Sequence, residues 1–332
     1  MTQDVNHNLN SGHKLCNIVF NHPLLTLEYS TVSHNMRKKV FIDGSYGTAG
    51  LYLTSLLSTH PHVELLTLPE DSYKDTTQRQ QHMAAADLII FCVPSKDVKA
   101  AIALAPKAAK LIDCSNQFRV SNTWVYGLPE LSQTQHSQIK TAHQVANPGC
   151  FATGFILAIA PLIQANILPL DIPLHAFAIS GYSAGGNRMI ALHEANKHHN
   201  KAFSLNLDHQ HLVEMTQYCR LQTSPLFIPT VASHREGMLL CITIDTNVPR
   251  LTFLTALQHH FDNHPFVEVH SHSPSNLNAD FPACHRTEMY VSNQEKRLTL
   301  SVRLNNLMKG AASAACQNMN LMLGFDEWVG LN

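Results

Sequence analysis

Val40-Phe41-Ile42-Asp43-Gly44-Ser45-Tyr46-Gly47-Thr48-Ala49-Gly50 is the stretch whose reading decides the fold. Four residues of strand character run into glycines at every third position, and the helical run Leu51 to Leu57 follows at once. Glycines at a strand–turn–helix junction let the backbone turn tightly and approach a pyrophosphate. The helix N-terminus beyond them offers unpaired N–H groups and a partial positive charge. The spacing is G-x-x-G-x-x-G rather than G-x-G-x-x-G, but the strand–turn–helix context makes the nucleotide reading the stronger one. It assigns Gly44, Gly47, Thr48, Ala49 and Gly50 to the nucleotide.

Outward from this loop the chain keeps alternating. Val63 to Leu68 reads as a second strand, and Asp87 to Pro94 is a continuous apolar run suited to a strand buried on both faces. Val98 to Ala109 is Ala-rich and helical, and Lys110 to Cys114 is another buried strand. Strand alternating with helix predicts an α/β, Rossmann-type doubly wound parallel sheet. After the second strand, Pro69-Glu70-Asp71-Ser72-Tyr73-Lys74 offers two acids and a lysine, so these residues leave NAD and NADP open. Beyond Cys150 the texture changes. Ala152 to Ala165 is a long apolar helix; His175 to Ser180, Leu239 to Asp245 and Leu298 to Leu304 alternate and predict a second, mixed or antiparallel sheet. Lys309 to Leu323 reads as a final helix stopped by Gly324.

Composition sets the outer limits. The 332 residues suit two domains, and 45% hydrophobic against 14% charged residues is globular. A net charge of -1 offers no field to nucleic acid or to an anionic membrane. No apolar run approaches the roughly 20 residues of a bilayer span, and the start lacks the pattern of a signal peptide, so a cytoplasmic protein is expected. The 8 cysteines are scattered without a C-x-x-C pair, which argues against a metal centre and for free thiols. The 22 histidines cluster in places such as His259-His260, without the acidic or thiol partners of a metal site. Residues 1–35 are polar and aperiodic, and read as an appended, poorly ordered segment.

Ala146-Asn147-Pro148-Gly149-Cys150-Phe151 carries the chemistry. A turn of Asn, Pro and Gly delivers a cysteine to the start of a long helix, whose N–H groups stabilise a thiolate and can hold an oxyanion. Such a thiolate is a nucleophile in need of an acid/base partner. Asp208-His209-Gln210-His211-Leu212-Val213-Glu214 offers one: on a helix, His211 and Glu214 share a face, so the acid would orient the imidazole. His234 is the second candidate.

These segments, taken in order, resemble the second, shorter type of N-acetyl-γ-glutamyl-phosphate reductase, over about Val40 to Gly324. The resemblance is carried by Phe41-Ile42-Asp43-Gly44, by Trp124-Val125-Tyr126-Gly127-Leu128-Pro129-Glu130-Leu131, and by Val145 to Gly154. Ser180-Gly181-Tyr182-Ser183-Ala184-Gly185-Gly186, His209 to Glu214 and Lys309-Gly310-Ala311-Ala312 complete it. It implies NADPH as cofactor, a glyceraldehyde-3-phosphate-dehydrogenase-like α+β catalytic domain, and a homo-oligomer, dimer or tetramer. The implied division is 36–149 for the nucleotide, 150–305 for catalysis, and 306–332 as a C-terminal helix returning to the nucleotide domain. The implied roles are Cys150 as nucleophile and His211 with Glu214 as acid/base. Ser115, Asn116, Arg119, Ser180 and Gly181 would meet substrate; Gly185, Asn306, Lys309 and Gly310 would meet the nucleotide. The implied reaction reduces N-acetyl-glutamyl 5-phosphate through a cysteine thioester.

The family usually has Lys and Pro where Gln210 and Val213 stand. It has no residue like Glu236 between arginine and glycine, and it differs at Asn305 and Met308. Aspartate-β-semialdehyde dehydrogenase shares the domain plan and fits Ser115, Asn116 and Arg119 too, but not the Asn147 to Cys150 turn or the Gly181-Tyr182-Ser183 segment. A longer acyl phosphate of lysine synthesis, and a nucleotide-sensing protein that has lost turnover, are the remaining alternatives.

Overall fold

The computed structural model describes residues 37–196 and 199–331; the expectation for residues 1–35 lies outside them. In the first half, short apolar runs become parallel strands because helices cover both faces. The strands are β1 (Lys38–Asp43), β2 (Val63–Leu66), β3 (Leu88–Phe91), β4 (Lys110–Asp113), β5 (Val125–Tyr126) and β6 (Gln144–Ala146). All pair in parallel, in the order β2-β1-β3-β4-β6-β5. Between them run α1 (Thr48–Ser58), α2 (Thr76–Ala85), α3 (Ser95–Ile102) and α4 (Gln133–Thr141). Strand β6 leads through Asn147-Pro148-Gly149 into α5 (Cys150–Gln164). Helix α3 is shorter than its alanine content predicts. Pro106 lies a few residues on, and a proline clashes with the preceding turn and disfavours helix at the residue before it.

The second sheet contains β7 (His175–Gly181), β8 (Lys201–Ala202), β9 (Leu226–Ala232), β10 (Met238–Asp245), β11 (Val267–His270), β12 (Thr287–Gln294) and β13 (Arg297–Leu304). Its order is β11-β12-β13-β10-β7-β9-β8, a mixture of parallel and antiparallel pairs. Alternation along β7 and β10 reflects one covered face. That face packs on α5 and on two of the helices that follow: α6 (Gly186–Asn196), α7 (Leu212–Tyr218) and α8 (Arg250–Phe261), the packed pair being α7 and α8.

The final helical segment departs from a simple helix. Met308–Ala312 is a π turn, and α9 (Ser313–Leu323) begins only after it, ending at Gly324 with a left-handed φ of 80°. Helix α9 packs back on the first sheet beside α1, burying Ala315, Cys316 and Met319 with Val40, Leu53 and Ile90. The chain therefore crosses between the sheets twice, and Cys150 stands at the first crossing. Among the described residues no helix is long and apolar enough to cross a membrane, and no cluster of three or more His, Cys, Asp or Glu is placed to hold a metal.

Candidate active site

A cleft of about 810 Å³ joins the start of α1 to the start of α5. Its nucleotide end is shaped by glycines. Gly44 has a φ of +91°, and a side chain there would meet the Cys92 carbonyl oxygen at 2.7 Å; at Gly50 it would meet the Gly44 oxygen at 2.2 Å. The loop therefore closes on itself only without side chains. Gly44, Gly47 and Gly50 make the turn, while Thr48 and Ala49 form the cleft wall. Helix α1 has no side-chain cap at Gly47, so its first N–H groups remain available to an anion. A tight backbone cradle and an uncapped helix start fit a dinucleotide pyrophosphate. Asn187, which the sequence reading missed, ties this loop to the second sheet's side: Thr48 Oγ1 donates to its Oδ1 at 2.5 Å, and its Nδ2 donates to the Tyr46 oxygen at 3.2 Å. The only local signal was its place after Gly185-Gly186.

Cys150 is the first residue of α5. Burial pushes its thiol up to about 11, against the pull of the Arg119 guanidinium and of the Phe151 and Cys150 N–H groups. The expected lowering by the helix terminus is thus present but outweighed by desolvation. A thiol at rest needs a base, and His211 is beside it: a side chain on Gly149 would touch His211 Nε2 at 2.3 Å and Arg119 Nη1 at 2.6 Å. Burial, then Arg119 and His209, hold the His211 imidazole well below its ordinary range, so it rests neutral with a ring nitrogen free, though weakened as a base. His211 Nδ1 is buried without a hydrogen-bond partner. His209 accepts the His211 N–H at its Nδ1, 3.1 Å away, and packs edge-on against Phe151 and Phe227. His234 is not on the cleft wall; its Nε2 lies 3.3 Å from the Gly237 oxygen.

Glu214 does not orient the imidazole. His211 caps α7 with helical backbone, yet its Nδ1 has no partner and no hydrogen bond joins it to Glu214. The carboxylate instead accepts from Arg119 Nη1 at 3.1 Å, Tyr126 Oη at 2.8 Å and the Gly149 N–H at 3.0 Å. Arg119 also donates from Nε to the Asn147 oxygen at 2.9 Å and from Nη2 to the Cys114 oxygen at 3.2 Å. The acid and the arginine together brace the turn that presents Cys150.

Other expected residues divide. Ser115, held by Asp113 through both its N–H and its hydroxyl, and Asn116 are on the wall. Asn116 accepts from Ser95 Oγ and donates to Gln210 Oε1, closing a bridge between the two sides of the cleft. Asn306 is on the wall, donating to Ser183 Oγ at 3.0 Å and accepting from the Gly237 N–H at 2.8 Å. Gly185 is there too. Ser180 and Gly181 are not; they are buried in β7, whose residues pair with β10 and β9, and the next residues, Ser183 to Gly186, reach the cleft instead. Lys309 is turned away from the nucleotide. Its fully buried ammonium requires a counter-charge and finds it in Glu130, at 2.5 Å, with Gln317 at 2.6 Å.

Two outcomes follow from this geometry. The rate of Cys150 alkylation by iodoacetamide should keep rising about tenfold per pH unit between pH 7 and 10. The raised thiol leaves little thiolate at neutral pH and more at each step toward about 11. A plateau reached below pH 8 would show a preformed thiolate instead. Gly310→Ala should lower kcat by about 10²-fold with the fold intact. The new methyl group would stand 2.7 Å from Cys150 Cβ and must displace the nucleophile; kcat measured beside the melting temperature separates the two effects.

The fold and the cleft define a semialdehyde dehydrogenase-type enzyme. The profile of the semialdehyde dehydrogenase NAD-binding domain matches residues 39–139, and that of the semialdehyde dehydrogenase dimerisation domain matches residues 150–306. The first sheet is accordingly a nicotinamide-cofactor domain. Solved structures agree in fold. Aspartate semialdehyde dehydrogenase II from Vibrio cholerae, complexed with ASA, superposes with a TM-score of 0.64 at 15% identity over 87% of this chain and 99% of that one. The Candida albicans aspartate semialdehyde dehydrogenase with NADP gives 0.66 at 12%, over 87% and 99%.

Sequence is more particular. N-acetyl-gamma-glutamyl-phosphate reductase of Trichormus variabilis is 33% identical over 320 residues, 89% of this chain and 99% of that protein. The Brucella ovis enzyme of the same name is 34% identical over 312 residues, 87% and 100%. The chain belongs to the N-acetyl-gamma-glutamyl-phosphate reductase family.

Proposed function

We propose that this protein reduces N-acetyl-L-glutamyl 5-phosphate to N-acetyl-L-glutamate 5-semialdehyde and phosphate with NADPH, in cytoplasmic arginine biosynthesis. One observation carries the reading: a cysteine thiol at a helix start is set between a neutral imidazole and a braced guanidinium, in the same cleft as the nucleotide loop. His211 takes the Cys150 proton, and the sulfur attacks the acyl carbon. The C–S bond forms, the C–O bond to phosphate breaks, and phosphate leaves within the field of Arg119. The first N–H groups of α5 hold the oxyanion. NADPH, when bound against Gly44 to Gly50, supplies the hydride that reduces the thioester carbon. The C–S bond then breaks, His211 returns its proton to the sulfur, and the aldehyde departs. Arg119 has all its short contacts committed to the protein, so it acts as a fixed positive charge rather than as a mobile clamp.

Support for NADPH over NADH comes from Lys74, whose amine lies 5.3 Å from the Tyr73 ring, itself tilted against Tyr46 after β2. A cation there suits a 2′-phosphate. Phosphate-dependent reduction of NADP⁺ with N-acetylglutamate semialdehyde, run beside NAD⁺ and beside aspartate semialdehyde, tests the proposal. Turnover of the acetylated substrate with NADP⁺ is the expected result. Turnover of aspartate semialdehyde alone would move the protein to the neighbouring reaction, and binding without turnover to a nucleotide sensor.

A homo-oligomer belongs to the same reading. The uncovered face of β7 exposes Phe177 at 51% and Ile179 at 40%, apolar surface that a second copy would bury. Phe177→Asp should shift the chain to monomer in light scattering.

A further inference from the structure

Cys92 and Cys114 are two thiols that the mechanism above does not use. They follow β3 and β4, which are parallel neighbours with Phe91 opposite Asp113, and the Cys114 N–H donates to the Phe91 oxygen at 2.9 Å. The two cysteines therefore leave the sheet side by side, at the spacing of about 4.8 Å between adjacent strands. Disulfide-linked residues have Cα atoms about 4.4 to 6.8 Å apart, so a bond between these two is within reach of the strand spacing. The Cys92 thiol lies close enough to hold the Cys114 thiol above its ordinary range. Both pack on the layer of α1 and α9, and both are only partly buried. Cys114 is on the cleft wall, and the Cys92 carbonyl lies directly beneath Gly44, within 2.7 Å of where a side chain would begin.

The geometry points to an oxidation site: Cys92 and Cys114 form a disulfide with a small-molecule disulfide as oxidant, and the cross-link loosens the nucleotide end of the cleft. The Cys92 sulfur, as thiolate, attacks one sulfur of the oxidant; that S–S bond breaks and one small thiol leaves, taking up a proton. The Cys114 sulfur then attacks Cys92 in the mixed disulfide, its own proton passing to the second small thiol as that leaves. Two protein thiols are oxidised and one small disulfide is reduced to two thiols. Bonding sets the sulfurs about 2.05 Å apart and draws the two side chains together. The backbone at Cys92 has no slack against Gly44, so the pull is passed to the glycine turn. This last step rests on the nucleotide reading of the cleft; the cross-link does not.

The test treats the full-length protein with oxidised glutathione, maps its peptides by mass, and measures NADP⁺ affinity before and after. The expected result is a Cys92–Cys114 peptide free of glutathione and a loss of NADP⁺ affinity of about tenfold, both reversed by dithiothreitol. Bound NADP⁺ should slow the cross-link. Cys92→Ser should keep its NADP⁺ affinity through the same treatment, whatever occurs at Cys150; Cys114→Ser replaces it if that variant does not fold. Glutathione retained on either cysteine without a cross-link, or a cross-link that leaves NADP⁺ affinity unchanged, overturns the proposal. Failure of the untreated protein to bind NADP⁺ would count against the functional reading, while the peptide map still decides the cross-link.

Discussion

Cys150→Ser is expected to reduce turnover by about 10⁴-fold or more, with NADP⁺ bound as in the wild type. The serine hydroxyl would occupy the same turn, beside the same imidazole, but an alkoxide forms far less readily than a thiolate. Any oxygen ester that did form would be a poorer acceptor of hydride than a thioester. The nucleotide turn depends on Gly44 and Gly50 closing on each other and on Thr48 held by Asn187, none of which the substitution touches. Steady-state rates, nucleotide titration and mass detection of an acyl adduct read the three parts separately. Wild-type turnover in this variant would refute the thioester route.

Glu214→Gln is expected to cost roughly 3 to 5 kcal/mol of stability, the range for breaking a buried ion pair by removing one partner. Glu214 is 1% exposed and receives three donors, from Arg119, Tyr126 and the Gly149 N–H. An amide can accept at only one of its two ends, so at least one donor is stranded and the Arg119 charge is left uncompensated. Because the Gly149 N–H and Arg119 brace the Cys150 turn, kcat should fall along with the melting temperature. The double variant Arg119→Met with Glu214→Gln separates the effects: it should regain part of the lost stability, since no buried charge remains unpaired, but not the activity. A double variant no more stable than Glu214→Gln alone would show that the ion pair is not the cause. Equal recovery of stability and kcat would show that Arg119 plays no part in the reaction.

The glycine turn and the Cys150 turn were legible in the sequence because each is a local event. Whether a strand can bend back on itself at Gly44, or a helix can begin at Cys150, depends on residues within a few positions, whose backbone freedom and unpaired N–H groups go wherever the segment goes. The alternation of buried runs and helices likewise specified the parallel sheet, since a strand covered on both faces must be apolar throughout. Partners of buried polar groups were decided only by the tertiary structure. Glu214 braces Arg119 rather than His211, Lys309 faces Glu130 rather than the nucleotide, and Ser180 and Gly181 stay inside their sheet while Ser183 reaches the cleft. The net pull on Cys150 was of the same kind: the helix start is local, but the desolvation that outweighs it comes from everything packed around it. A buried charge must find a counter-charge, and which one it meets depends on side chains brought together from as many as 179 positions apart, as Lys309 and Glu130 are.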